Sequence, residues 1–218
     1  MRFHLVFIII VGLLGMGGIC SAAYIPDSSS TITNSTNWVI VAHQSTITIV
    51  ANNATGGTVP NATVSLSLNS TTWGTLSTVS GTTDATGTLT STFTAGTKPG
   101  TANITAIITY IDNGTPYIIQ KSCLQNIDHD AAYTALYTYP IQATVASETL
   151  FNVSYTDKYG NPIDNRNTAD PHYVTLSIGS TNNLARFDLN GTYVQSTTEL
   201  LDANGNFTVT VLTDDTAS

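Results

Sequence analysis

The feature that most constrains this chain is a turn-and-strand pattern that occurs twice. Residues 201–213 read LDANGNFTVTVLT, and residues 83–94 read TDATGTLTSTFT. In both, an Asp-Ala-x-Gly turn launches an alternating run. Asp84 and Asp202 are placed to fold a carboxylate back onto the N–H groups of the turn, and Gly87 and Gly205 to supply its positive φ. After Gly205, Phe207, Val209 and Val211 alternate with Thr208 and Thr210, the period of a half-buried strand. A pattern repeated at this length marks a duplicated all-β module.

The rest of the chain falls into place around the two copies. Strand-like runs precede the first turn at 38–42 (WVIVA), 46–51 (TITIVA), 62–68 (ATVSLSL) and 74–79. Residues 102–111 and 117–125 follow it as a closing pair around Asn113-Gly114. The second copy repeats the order with 131–140, 150–156, a loop at 157–162 in which Asp157 and Gly160 form the turn, 173–178, 186–189 and 207–212. Short alternating strands at roughly ten-residue spacing predict an all-β sandwich. No stretch carries apolar residues at helical spacing. The expected organisation is a Ser/Thr-rich spacer at 24–37, a first sandwich at 38–127 and a second at 128–218. The second reaches Ser218 without counterparts of the closing pair. It is therefore expected to be incomplete at its C-terminus, to be completed by further sequence or by another chain.

The amino-terminal stretch is read as a signal for export. Arg2 precedes an apolar run at 5–19, and Ser21-Ala22-Ala23 offers the small residues that a signal peptidase reads, so residues 1–23 are expected to be removed. The run is short for a membrane span. Ile19 before Cys20 departs from the lipoprotein pattern. Processing leaves Cys123 as the one remaining cysteine. An internal disulfide is then excluded, and each module must stand on its hydrophobic core. With 14 acidic against 6 basic residues the net charge is −8, which disfavours nucleic acid as a partner. Charged residues are only 9% of the chain, so solubility falls to hydroxyls and sugars. N-glycosylation sequons occur at Asn34, Asn53, Asn61, Asn69, Asn103, Asn113, Asn152, Asn190 and Asn206. Asn53, Asn69, Asn113 and Asn190 sit in expected turns and are the better acceptors.

These motifs resemble the bacterial Ig-like domain group 1, the module stacked in the extracellular rods of invasin and intimin. The resemblance is carried by DKYGNPI at 157–163, VTLSI at 174–178 and DANGNFTVTV at 202–211. In the first module VSLSL, TDATGTLTSTF and GTANITA carry it. It covers most of the chain from about Ser45. One departure is ANNATGGTVPN at 51–61, where the family has an acidic-Gly-Asn-Pro loop. The resemblance implies an Ig-like β-sandwich serving as a stalk or adhesive surface module. The family's adhesins bind through a distal specialised domain, and no such domain is visible here.

The chain carries no nucleophile elbow, zinc-protease helix motif, phosphate loop or dinucleotide fingerprint, so no enzymatic activity, catalytic residue or cofactor is expected. His43, His129 and His172 are scattered singly. Asp128-His129-Asp130 is the one compact polar cluster. It is expected to be a solvated interdomain linker; the alternative, a calcium site, has too few oxygen ligands in sight for the ion. Tyr133, Tyr137 and Tyr139 share a face. They are expected to pack against the neighbouring module or core, with a sugar-stacking platform as the alternative. Lys121 and Lys158 raise an isopeptide crosslink, for which no acid partner can be placed.

The expectation is thus a secreted or cell-surface, non-enzymatic structural or adhesive protein built of Ig-like repeats. Its expected partners are neighbouring modules or other surface proteins, without membrane insertion of the mature segment. The alternatives are a carbohydrate-binding module that recognises surface carbohydrate, or the accessory region of a larger extracellular enzyme.

Overall fold

The computed structural model describes residues 24–138, 147–179 and 185–213. Residues 1–23, read from the sequence as an export signal, and Tyr139 lie outside the described residues.

Alternating threonine and aliphatic residues dictate strands throughout, and two sandwiches result. In the first, β1 (Thr31–Asn34), β3 (Gln44–Val50), β7 (Thr88–Ala95) and β5 (Gly74–Leu76) form one sheet in the order β1-β3-β7-β5. The facing sheet runs β2-β9-β8-β4-β6, from β2 (Trp38–Ile40), β9 (Thr115–Asp128), β8 (Gly100–Asp112), β4 (Thr63–Leu68) and β6 (Ser80–Thr82). Pairs within both sheets are antiparallel except β2 with β9, which are parallel. Every second residue points inward. Ile47 and Ile49 of β3, Val64 and Leu66 of β4, Phe93 of β7, and Ala102, Ile104, Ala106 and Ile108 of β8 meet in one core.

The Ser/Thr-rich stretch at 24–37, read from sequence as a spacer, contributes to this fold. Pro26 and Ser30 are buried. Thr31–Asn34 pairs antiparallel with β3 in the register Ile32↔Ile49, and Ile32 joins the core. Two apolar side chains in a run of hydroxyls suffice because the β3 edge supplies the backbone partners.

The second module repeats the first sheet. β10 (Thr134–Thr138), β11 (Glu148–Thr156), β16 (Asn206–Thr213), β13 (Ala185–Leu189) and β14 (Thr192–Val194) run in the order β10-β11-β16-β13-β14. The facing layer is the pair β12 (Tyr173–Ser177) and β15 (Ser196–Leu200). Its core is smaller: Val153, Ile163, Val174, Leu176, Phe187, Leu201 and Val209. The described residues hold no counterpart of β8 and β9.

Shared turn geometry aligns the modules residue by residue. Asp84 Oδ1 accepts from the N–H groups of Thr86 and Thr88, and Asp202 Oδ1 from those of Asn204 and Asn206. Gly87 and Gly205 have φ of 73° and 70°. A Cβ on Gly87 would lie 2.7 Å from Ala51 O, and one on Gly205 would lie 2.7 Å from Tyr155 O. Only glycine lets these turns dock under the neighbouring strand. Their carbonyls accept from Ala51 N–H at 2.8 Å and Tyr155 N–H at 2.9 Å.

Candidate functional site

The densest buried polar chemistry lies where the modules meet. β9 ends at Asp128, and β10 begins at Thr134. The connecting residues are gripped by the 157–162 loop of the second module. This loop closes as β11 ends because Asp157 accepts through Oδ1 from the N–H groups of Tyr159 and Asn161, with Gly160 at φ 81°. Its Oδ2 faces the linker, accepting from Asp130 N–H at 3.0 Å and from Asn161 Nδ2 at 2.8 Å. The same Asn161 amide donates to Thr97 O of the first module at 2.8 Å. Lys158 Nζ lies 2.8 Å from Asp130 Oδ2. One loop therefore binds both the linker and the body of the preceding module.

The charges follow from this geometry. Burial pushes the Asp157 carboxyl up, but donors from Asn161, Asp130 and Tyr159 outweigh it and hold it below the ordinary carboxylate value. Lys158 holds Asp130 low, helped by the Ala131 N–H. In the first module the equivalent position is Asn53. Its Oδ1 accepts from the N–H groups of Thr55 and Gly57, with Gly56 at φ 80°. The loop form is kept there without the carboxylate.

A second contact lies beside the first. Asp128, His129 and Asp164 are all buried, and their potential ligand atoms lie within 4.8 Å of one another. The donor set nevertheless fits an ionic clasp better than a metal. Arg166 Nε and Nη2 occupy the Asp164 carboxylate at 2.6–3.0 Å. Asp128 Oδ1 accepts from His129 N–H. Both His129 ring nitrogens face carbonyls, Asp130 O at 2.8 Å and Asp164 O at 3.1 Å. Burial raises the Asp164 carboxyl, and Arg166 overcomes it to hold the group low. His129 also meets the His172 ring edge-on, with centroids 4.6 Å apart. A groove of about 500 Å³ borders this clasp, lined by Trp38, Gly100 and Thr101 on one side and Asp164, Asn165, Arg166 and Ala203 on the other.

Residues read from sequence as sites fall apart into separate places. Tyr133 and Tyr137 are 77% and 50% exposed. Tyr137 pairs with Val153, so it shares the inner face of the sheet, and its ring lies 6.2 Å from that of Phe151. Cys123 is half-buried in β9, and burial raises its thiol. Lys121 Nζ donates to Ser28 O; Lys158 lies beside Asp130, but its side chain is half exposed rather than in the buried setting that an isopeptide bond requires.

The sequons also divide. Asn61, Asn69, Asn113 and Asn190 are exposed, and Asn61, Asn113 and Asn190 have positive φ at turn tips. Asn53, read as a favoured acceptor, is buried at 6% because it locks its own turn. Asn34, Asn103, Asn152 and Asn206 are only partly exposed on strands. What the sequence reading missed is the junction. Its partners lie 27 to 64 residues apart, and the Asp128-His129-Asp130 cluster and the DKYGNP string were its visible traces.

No protein-family model and no curated protein matches the chain. Solved structures do. Invasin, described as a bacterial integrin-binding protein, matches with a TM-score of 0.61 at 16% identity, over 89% of this chain and 36% of that one. The Escherichia coli adhesin FdeC matches with a TM-score of 0.53 at 21% identity, over 87% of this chain and 56% of that one. The chain thus spans little more than half of one and about a third of the other. The likeness is one of fold: the chain is built of Ig-like β-sandwiches of the kind found in invasin-type adhesins.

Proposed function

We propose that this chain is a non-enzymatic segment of a cell-surface stalk, in which tandem Ig-like sandwiches hold an adhesive or envelope-forming part at a set distance and angle. The observation that carries the reading is the doubly clasped junction. A passive tether between independent domains needs no buried hydrogen bonds, whereas here Asp157, Asn161, Asp164 and His129 tie the linker and both modules together. An adhesive role is favoured by the likeness to invasin and FdeC. An exported location is favoured by the apolar start of the sequence, together with a surface that carries few charges. Among the described residues no helix is long and apolar enough to cross a membrane. The carbohydrate reading is weakened by Tyr137, which uses the inner face that Ile32 occupies in the first module.

Protease shaving of source cells followed by immunoblotting tests the location, and small-angle scattering of the purified chain tests the rod. The expected results are a band lost on shaving and a fixed elongated envelope. A protease-resistant intracellular band, or scattering that requires freely reorienting modules, would overturn the proposal.

A further inference from the structure

Asparagine precedes glycine at three places in this chain, Asn113-Gly114, Asn190-Gly191 and Asn204-Gly205. Such a pair is open to an internal reaction. With no Cβ beside it, the glycine nitrogen can approach the side-chain carbonyl carbon of the preceding asparagine. The fold decides whether it does. The glycine N–H must be free to lose its proton, and the backbone must have room to turn until nitrogen and carbon meet.

Asn113-Gly114 and Asn190-Gly191 are near copies. Each is followed by threonine, and each forms a two-residue hairpin turn, in the registers Asp112↔Thr115 and Leu189↔Thr192. Their φ values are 48° and 80° in one turn, 52° and 89° in the other. All four residues are exposed, and a Cβ on either glycine would meet nothing within 4 Å. One hydrogen bond separates the two turns. Gly191 N–H donates to Asp188 Oδ1 at 2.6 Å. Among the described residues nothing accepts from Gly114 N–H. The Asp188 carboxylate also opposes the negative charge that the attacking nitrogen must gain. Gly205 is held on both counts. Its N–H donates to Asp202 O at 3.0 Å, and the turn is wedged beneath Tyr155, where a Cβ would lie 2.7 Å from Tyr155 O.

We infer that Asn113 is a self-modification site, converted through a cyclic imide with Gly114 to isoaspartate and aspartate, while the fold shields Asn190 and Asn204. Hydroxide takes the Gly114 N–H proton. The nitrogen bonds to Asn113 Cγ and the Cγ–Nδ2 bond breaks. The departing nitrogen takes a proton back from water, so ammonia leaves and hydroxide is regenerated. Water then opens the ring. Attack at Cγ gives aspartate. Attack at the main-chain carbonyl gives isoaspartate, in which the chain runs on through Cβ and Cγ. Either product puts a new carboxylate at the tip of the β8–β9 hairpin. Asn113-Gly114-Thr115 is also a sequon, and a sugar attaches through the same Nδ2. A glycan there blocks the departure of ammonia, so the two modifications exclude each other on any one molecule.

The test is incubation of the full chain, free of glycans, at mildly alkaline pH. Peptide mapping by mass spectrometry follows conversion at each site, and isoaspartyl methyltransferase labelling measures isoaspartate. Conversion at Asn113 should exceed that at Asn190 and Asn204 by at least ~10-fold, the factor expected where a hydrogen bond on the glycine N–H must first be broken. It should rise with pH, since hydroxide takes the proton. In denaturant, where the turns are gone, the three rates should converge. Asp188→Ala removes the acceptor at Gly191 and should bring Asn190 up towards Asn113. Three outcomes overturn the proposal. One is equal conversion at Asn113 and Asn190 in the folded chain. Another is a ranking that survives unchanged in denaturant, which would place its origin in local sequence. The last is an Asp188→Ala protein that melts like the native chain and still leaves Asn190 unconverted.

Discussion

Asp157→Ala is the sharpest perturbation of the junction. The carboxylate is 2% exposed and accepts from Tyr159 N–H, Asn161 N–H, Asp130 N–H and the Asn161 amide. Alanine leaves three backbone donors without that acceptor, and each donor left buried and unmet costs about 1–3 kcal/mol. Tyr159 lies at the exposed tip of the loop, so water relieves part of the penalty. The expected loss is about 3 kcal/mol. For a module of this size that lowers the melting temperature by roughly 12–24 °C. Asp157→Asn keeps one acceptor oxygen for the turn but presents an amide donor to Asp130 N–H, so its loss is about 1–2 kcal/mol. Differential scanning calorimetry of the full chain reads both, and scattering reports whether the modules come loose. The folded carboxyl is held below its ordinary value. Its contribution is therefore complete above about pH 4 and lost as pH falls through the folded value. Asp157→Asn should flatten that acid limb. An Asp157→Ala protein melting within ~2 °C of the native chain would refute the reasoning.

Two further outcomes follow from the turns. Gly205→Ala should destabilise by about 2–3 kcal/mol, because its Cβ would meet Tyr155 O and Ile163 N as well as an unfavourable φ. Gly160→Ala, with φ 81° but open space around it, should lose only about 1 kcal/mol, and equal losses in urea titrations would contradict the packing argument. Glycopeptide mass spectrometry of the chain from a glycosylating host should find sugar at Asn69, Asn113 or Asn190 and none at Asn53. A glycan on Asn53 in the folded protein would contradict its role inside the turn.

Period-two alternation made the sandwiches legible, because Ile47, Ile49, Val64 and Leu66 are separated by threonine or serine and fix which face is buried. The duplicated Asp-x-x-Gly turns carried the register between copies. β1 escaped the reading because TITN offers one inward isoleucine and relies on β3 for its pairing. The burial of Asn53 escaped the reading because a sequon marks a chemical acceptor and not its exposure. The Asp128-His129-Asp130 cluster was legible, but its pairing across the junction was not, because Asp157 reads as a local turn former. That its second oxygen reaches Asp130 depends on how two modules dock, which no spacing within either one encodes.

The parallel pairing of β2 with β9 bears on what happens when the chain is pulled. Trp38, Val39 and Ile40 lie beside Asn126, Ile127 and Asp128, so the strand near the entry of the first module runs alongside the one that leads out of it. Tension applied through the two ends drags these strands past each other along their length. The hydrogen bonds between them are then loaded together in shear, rather than peeled one at a time as at the end of a hairpin. Resistance to extension is thus concentrated at the exit of the first module, and the clasped linker passes the load directly into the second.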